Sequence, residues 1–144
     1  MPPGFPALTL PVMRPLAHIH AQDADDKKQT RLIALLDAIF PAYFVDHQAP
    51  HELADRLAIF AKVLPGGEEE AKKLEESGKT QEAKDQLTAN TQEAFDKGAF
   101  GMPWMMCKNT EGNEEGFFGV DSLGQVAAFL GLEKPQEKGW KALL

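Results

Sequence analysis

The sequence predicts an α+β fold that is mostly helical, in which a helical region is followed by a β-hairpin and a C-terminal helix. Apolar residues recur at helical spacing through residues 7–97, as they do in amphipathic helices. Residues 98–121 instead hold two short apolar segments around a polar loop with a glycine, which is typical of a hairpin. Helical spacing returns between Leu123 and Leu130, so we expect a last helix within residues 98–132.

Length and composition indicate one globular domain over residues 1–144, with a tail at 133–144. The net charge of −7 argues against non-specific binding to nucleic acid or docking on anionic membranes. No apolar run approaches the ~18 residues of a membrane span, and the N-terminus does not resemble a secretory signal. A cytoplasmic protein without nucleic-acid or membrane partners is therefore expected.

The first predicted helix, Ala7–Ile19, contains two prolines. Pro11 and Pro15 each remove a backbone donor, so we expect this helix to be kinked or split. The next helix is strongly apolar from Leu32 to Phe40, and Pro41 predicts a bend at its end.

Two amphipathic segments and one charged segment follow. Pro50–Val63 has an apolar face made of Leu53, Ala54, Leu57, Ala58 and Ala61. Glu68–Glu76 pairs acidic with basic residues four positions apart, so its charge predicts a solvated helix face. Thr80 is placed to cap a longer helix that ends near Gly98, with an inner face made of Ala83, Leu87, Ala94 and Phe95.

In the hairpin, the unbroken apolar run Trp104–Cys107 predicts a strand that is buried on both faces. Cys107 is the only cysteine, which excludes an internal disulfide and favours a buried, inert thiol. Asp121 is placed as the N-cap of the last helix, and Gly131 as its stop. In the tail, Trp140, Leu143 and Leu144 could dock on the domain or on a neighbour.

Several of these segments also resemble a known family. Gly98-Ala-Phe-Gly-Met-Pro103 and Phe118-Gly-Val-Asp121 resemble the C-terminal part of the DsbA-like thioredoxin domain, as found in kappa-class glutathione transferases and 2-hydroxychromene-2-carboxylate isomerases. Two further patches resemble the helical region of that family: Phe5-Pro6 with Thr9, Met13 and Arg14, and Ala42–Asp46. The resemblance implies a truncated DsbA-like fold, because the family's first strand, helix and strand, with its catalytic serine or C-x-x-C pair, have no counterpart here.

The resemblance also implies a glutathione site. It implies that Met102-Pro103 is a cis bond and that the backbone of Met102 holds the cysteinyl part of glutathione through strand-like hydrogen bonds. Asp121 matches the residue that receives the γ-glutamyl end, but the family's neighbouring serine is Val120 here, and Ser122 follows one place late. From the residues alone, a trans-proline at a strand start and a simple helix cap would explain the same positions.

Acid–base chemistry is the other possibility that the residues raise. His18, His20, His47 and His51 could supply zinc-ligand nitrogens, but no cysteine or HExxH frame accompanies them, and no metal site is predicted. We expect His18 or His47 to act as a general acid or base, with Asp46 and Tyr43 in the same cleft. Tyr43 could equally be a packed aromatic residue.

Three functions remain open at this point. The first is a glutathione-dependent transferase or isomerase that acts on a small aromatic compound. The second is a cofactor-independent isomerase, cyclase or dehydratase that uses His, Asp or Tyr to move a proton. The third is a non-catalytic binding protein.

The resemblance predicts a homodimer as well. In a thioredoxin-type sheet the strand after the cis-proline lies between the last strand and the first one. Without that first strand, Trp104–Cys107 is an apolar edge with unpaired backbone groups, and a two-fold axis would let two such edges meet.

Overall fold

The computed structural model describes residue 2 and residues 5–133, so the predicted contacts of Trp140, Leu143 and Leu144 lie outside the described residues. The fold is α+β and mostly helical, as predicted. The chain divides into two compact units, Met1–Asn90 and Thr91–Leu144, which are described separately below. In the part of the chain that the structure describes, no helix is long and apolar enough to cross a membrane.

Six α-helices, one 3₁₀ turn and two strands make up the described residues. In chain order they are α1 (Leu10–Gln22), α2 (Thr30–Phe44), α3 (Leu53–Val63), α4 (Gly67–Ser77), α5 (Gln81–Asp96), β1 (Trp104–Lys108), β2 (Glu114–Phe118), the 3₁₀ turn Val120–Ser122 and α6 (Leu123–Phe129).

Helix α1 is continuous across both prolines, so of the predicted kink or split, the split is wrong. Pro11 lies in the first turn, where the backbone donor that it lacks would have no partner in the helix. Pro15 lies inside the helix and is fully buried. Its ring packs on Gly78, where an added Cβ would lie 2.5 Å from the proline Cγ. This close packing compensates for the hydrogen bond that Pro15 cannot make.

Helix α2 also continues past its proline, one turn beyond the predicted bend, to Phe44. Its start is held by Asp26, whose carboxylate accepts the backbone N–H groups of Lys28 and Thr30 at 3.0 and 2.8 Å. These hydrogen bonds lower the pKa of the Asp26 carboxyl, and the bond from Thr30 has the largest effect.

The core of the first unit lies among α1, α2, α3 and α4. Its buried apolar residues include Leu16, Ile19, Leu35, Phe60 and Leu74.

The buried face of α3 differs from the predicted one. Leu53 and Ala54 are exposed, whereas Arg56, Ile59 and Phe60 are buried. Ile59 and Phe60 have more apolar surface to bury than alanine does, and the charge of Arg56 has a buried partner.

That partner is Glu75 of α4, which corrects the prediction that the charges of this helix are all solvated. The Arg56 guanidinium donates from Nε and Nη2 to the two carboxylate oxygens of Glu75 at 2.7 and 2.9 Å. The side chains are 5% and 8% exposed. The other charges of the helix follow the prediction, since Lys73 contacts Glu69 at 2.7 Å on the exposed surface.

Helix α5 begins as predicted, because the Thr80 hydroxyl accepts the backbone N–H of Ala83 at 3.2 Å. The predicted inner face is only partly correct, since Ala83 is buried but Phe95 is 71% exposed. Gly98 follows the helix with φ +83°, which is the conformation expected of a glycine stop.

The second unit contains the predicted hairpin, in which β1 and β2 are antiparallel and Trp104 pairs with Phe118. Phe117, on one face, is buried and contacts Phe129 of α6 at a ring distance of 5.6 Å. No residue of β1 is fully buried, and Cys107 is only half-buried, so the prediction of burial on both faces is wrong. The reason is that α6 covers one face of the two-stranded sheet.

The loop after β2 corrects the predicted helix cap. Asp121 lies within the 3₁₀ turn, and Ser122 holds the N-cap position of α6 without a capping side-chain bond. The turn begins after Gly119, which has a φ of +83°. The Gly119 carbonyl accepts the Ser122 N–H at 3.2 Å, so the chain turns before α6 begins. Gly131, at φ +67°, ends α6 as predicted.

Candidate functional site

The first unit contains an apolar cavity of about 270 Å³. Its walls come from the segment before α1, one face of α1, one face of α2 and the loop before α3. The lining residues are Phe5, Pro6, Ala7, Leu8, Thr9, Val12, Met13, Leu16, Leu36, Ile39, Phe40, Tyr43, Phe44, Pro50 and His51. None of them carries a formal charge apart from the titratable His51, so this is an apolar binding site in the described chain.

Two separate sequence patches meet in this cavity. Phe5 and Pro6 come from the first patch, and Tyr43 and Phe44 come from the second. The rings of Tyr43 and Phe44 are in edge contact at 4.9 Å, so they form one aromatic wall. Arg14 of the first patch instead lines a different cleft of about 300 Å³.

Two residues that line the cavity carry a buried polar atom without a partner. Neither Tyr43 Oη nor His51 Nδ1 makes a hydrogen bond with any residue that the structure describes. A buried polar atom without a partner costs about 1–3 kcal/mol, so such atoms usually have a function or a bound water. Both atoms are fully buried, so the surface that the cavity presents is apolar.

Side chains of α3 make hydrogen bonds to the backbone of the loop that carries His51. Arg56 Nη1 donates to the backbone carbonyls of Pro50 and His51, each at 2.9 Å. Asp55 adds a further anchor by accepting the Ala49 N–H at 2.7 Å. The buried Arg56–Glu75 pair therefore fixes the backbone from which the His51 ring projects.

His51 Nε2 lies 3.9 Å from a carboxylate oxygen of Glu52, whose side chain is 73% exposed.

The second unit has its own candidate site at the end of the hairpin. The Met102–Pro103 bond is cis, and the Pro103 carbonyl accepts the Gly119 N–H at 3.0 Å. Met102 is 78% exposed, and its backbone N–H and carbonyl have no hydrogen-bond partner among the described residues. This corner, Met102–Pro103 with Gly119–Ser122, presents backbone groups that an extended peptide could pair with.

A family model for the DSBA-like thioredoxin domain matches residues 13–131. The chain belongs to this family. No curated protein matches the sequence. The DSBA-like thioredoxin domain is compatible with glutathione-related, isomerase or oxidoreductase roles. The match runs from within α1 to the end of α6, and therefore includes most of both cavity helices and the hairpin corner of this DSBA-like chain.

The predicted glutathione residues of this DSBA-like domain lie together at the hairpin corner. Asp121 is exposed, and Asp121 and Ser122 lie two and three residues after Gly119, whose N–H donates to the Pro103 carbonyl. The Ser122 hydroxyl donates to the Phe118 carbonyl at 2.6 Å, so its proton is already used.

The predicted catalytic residues do not lie together. Of the four, only Tyr43 lines the apolar cavity. His18 lines a separate cavity of about 130 Å³ with Arg31 and Glu70, and Asp46 and His47 are exposed just after α2. In the described residues no cluster of three or more His, Cys, Asp or Glu side chains could hold a metal ion.

Sequence reasoning did not single out His51, which faces the cavity. The signal that could have found it is its place in Ala49-Pro50-His51, a short connection between two apolar helices. A polar side chain in such a connection lies at the rim of the groove between the helices.

Proposed function

We propose that this chain is a glutathione-dependent transferase or isomerase that acts on a small aromatic compound. The observation that carries the proposal is the exposed residue Met102, whose backbone N–H and carbonyl have no hydrogen-bond partner among the described residues. A strand-like segment of glutathione could pair with the N–H and carbonyl of this residue. The apolar cavity of the first unit supports the second part, because it offers an aromatic-lined site for the compound.

Each residue of the corner has a role in this proposal. Met102 would hold the cysteinyl backbone, and Pro103 would keep that backbone facing outward. The Asp121 carboxylate would accept hydrogen bonds from the ammonium of the γ-glutamyl end. Ser122 could only accept a bond there, because its proton goes to Phe118.

Isothermal titration calorimetry with reduced glutathione tests the proposal. We expect saturable binding that Asp121→Asn weakens at least ~10-fold, since a hydrogen bond to a charged group contributes ~1.5–3 kcal/mol. Asp25→Asn, another exposed aspartate, is the matched control and should bind like the wild type. Absence of binding at millimolar glutathione, or equal binding by both variants, would contradict the proposal.

The place of Tyr43 in the lining of the apolar cavity favours a second candidate, a cofactor-independent isomerase in which this residue moves a proton. Under this alternative, activity on an aromatic substrate would persist without glutathione and would be lost in Tyr43→Phe. Activity that requires glutathione would exclude it.

We also propose a homodimer in which the β1 edges of two chains pair. Among the described residues β1 bonds only to β2, so its other edge offers free backbone donors and acceptors. An unpaired edge of this kind can pair with a second copy, and a two-fold axis would satisfy both copies at once.

A further inference from the structure

We infer that the cavity of the first unit takes an uncharged aromatic hydrocarbon of the alkylbenzene class and discriminates against the same ring with a hydroxyl or carboxylate group. The inference rests on the proposed function in taking this cavity as the site of the aromatic compound. It goes further by naming the substituents that the bound ring carries and those that it lacks.

The polar atoms of the lining residues offer no partner inside the cavity. Tyr43 Oη and His51 Nδ1 are fully buried, so neither forms part of the surface that a ligand meets. The other ring nitrogen of His51 lies 3.9 Å from Glu52, which is exposed and does not line the cavity. Thr9 is exposed, so its hydroxyl lies at the mouth. A hydroxyl group of a ligand would therefore give up hydrogen bonds to water on entering the cavity without replacing them.

The lining also lacks a charge that could balance a charged ligand. Among the described residues that form the walls there is no lysine, arginine, aspartate or glutamate. Arg56, which anchors the loop before α3, already donates to Glu75 and to two backbone carbonyls. A carboxylate moved from water into this cavity would lose its hydration without gaining a counter-charge, which is costly.

The apolar side chains of the lining, in contrast to its buried polar atoms, are accessible. Phe40 and Phe44 of α2, whose rings contact each other at 5.9 Å, are 58% and 48% exposed. Met13 of α1 and Leu8 before it are 40% and 66% exposed. A bound ring would therefore meet aromatic surface from α2 and aliphatic surface from α1. Burial of these apolar surfaces drives binding, and contacts between aromatic rings add to it.

The size of the cavity suits one substituted ring. An apolar cavity of roughly 150 Å³ is large enough to bind benzene. The volume here is about 270 Å³, which leaves room for alkyl groups on the ring.

Isothermal titration calorimetry of the full chain, without glutathione, tests the inference with three probes that differ in one substituent. They are para-xylene, para-cresol and para-toluate, in which a methyl, a hydroxyl or a carboxylate group lies opposite a methyl group. We expect saturable binding of para-xylene, binding of para-cresol that is at least ~5-fold weaker, and the weakest binding for para-toluate. A fivefold difference corresponds to about 1 kcal/mol, at the lower end of the cost of burying a hydroxyl without a partner.

Met13→Asp tests whether the probe binds in this cavity. Met13 lines the cavity and is 40% exposed, so the variant should fold. A ring that covered the new carboxylate would remove its hydration, so para-xylene should bind at least ~10-fold more weakly. Leu10→Asp is the matched control, because Leu10 lies on the same helix, is 45% exposed and is not among the lining residues. It should bind para-xylene like the wild type.

Ala7→Phe removes space and keeps the lining apolar. Ala7 lines the cavity from the segment before α1. The larger side chain should occupy part of the cavity and weaken para-xylene binding at least ~5-fold. Circular dichroism at 222 nm checks that each variant keeps its helices.

The inference is overturned if para-cresol or para-toluate binds as tightly as para-xylene, or if para-xylene shows no saturable binding. It is also overturned if Met13→Asp weakens binding no more than Leu10→Asp and Ala7→Phe leaves it unchanged. Glutathione is titrated separately. Selective para-xylene binding without glutathione binding would refute the proposed function and leave this inference standing. Glutathione binding without para-xylene binding would do the reverse.

Discussion

Glu75→Gln should destabilise the first unit strongly, because it breaks a buried ion pair from one side. The guanidinium of Arg56 makes four hydrogen bonds, two to Glu75 and one each to the carbonyls of Pro50 and His51. Glutamine keeps the shape of the side chain but offers one acceptor and turns a donor toward the guanidinium. The positive charge of Arg56, 5% exposed, is then left without a counter-charge. Removing one partner of such a pair costs about 3–5 kcal/mol, and we expect about 3 kcal/mol here.

The measurement is urea unfolding followed by circular dichroism at 222 nm. This signal reports on the helices, most of which lie in the first unit, whereas Trp104 lies in the second. Glu76→Gln is the neighbouring control, because Glu76 is 72% exposed in its pair with Lys79. An exposed pair contributes about 0–1 kcal/mol, so this control should change little.

A double variant separates the loss of the pair from the loss of one partner. Replacing both charges, as in Arg56→Met with Glu75→Leu, leaves no uncompensated charge, and it should recover at least half of the stability lost in Glu75→Gln. A loss below about 1 kcal/mol in Glu75→Gln would refute the reasoning, since it would mean that water or a rearrangement replaces the pair.

Three further predictions concern other parts of the chain. A hydrogen bond from Arg31 holds the pKa of the Asp23 carboxyl below its usual value. Ionised Asp23 therefore stabilises the fold at any pH above the pKa of ~3.9 that the carboxyl has in the unfolded chain. This stability is lost as the pH falls through the lower pKa of the folded state. The deficit of Asp23→Asn, measured by urea unfolding, should therefore be largest near neutral pH and shrink in acid; a deficit independent of pH would contradict this. Gly116→Ala would make its Cβ overlap the Trp104 ring, which should cost about 1–3 kcal/mol in thermal unfolding followed by tryptophan fluorescence. Gly124→Ala has free space and should not lower stability. Light scattering at micromolar concentration should give a dimer, and a monomer would rule out the pairing of Trp104–Cys107 edges.

Local chemistry in the sequence was enough to predict much of the fold. Thr80 caps α5, the polar loop closes the hairpin, and the glycines at 98 and 131 end their helices, because each of these features depends on neighbours in the chain. The errors arise where tertiary packing decides. Pro15 stays inside a helix because its ring packs on Gly78, a residue more than sixty positions away.

The candidate site shows the same division between local and distant information. The sequence placed Tyr43 in a cleft and grouped Asp121 with Met102, since these residues stand in recognisable patches. It could not rank His51 above His18, because the difference lies in which groove each ring faces. Nor could the sequence reveal that Arg56 donates to the carbonyl of His51. The apolar pattern of α3 suggested an inner face without Arg56. The buried Arg56–Glu75 pair therefore links the stability of the first unit to the geometry of its cavity, so substitutions that unpair it should alter ligand binding without touching the ligand.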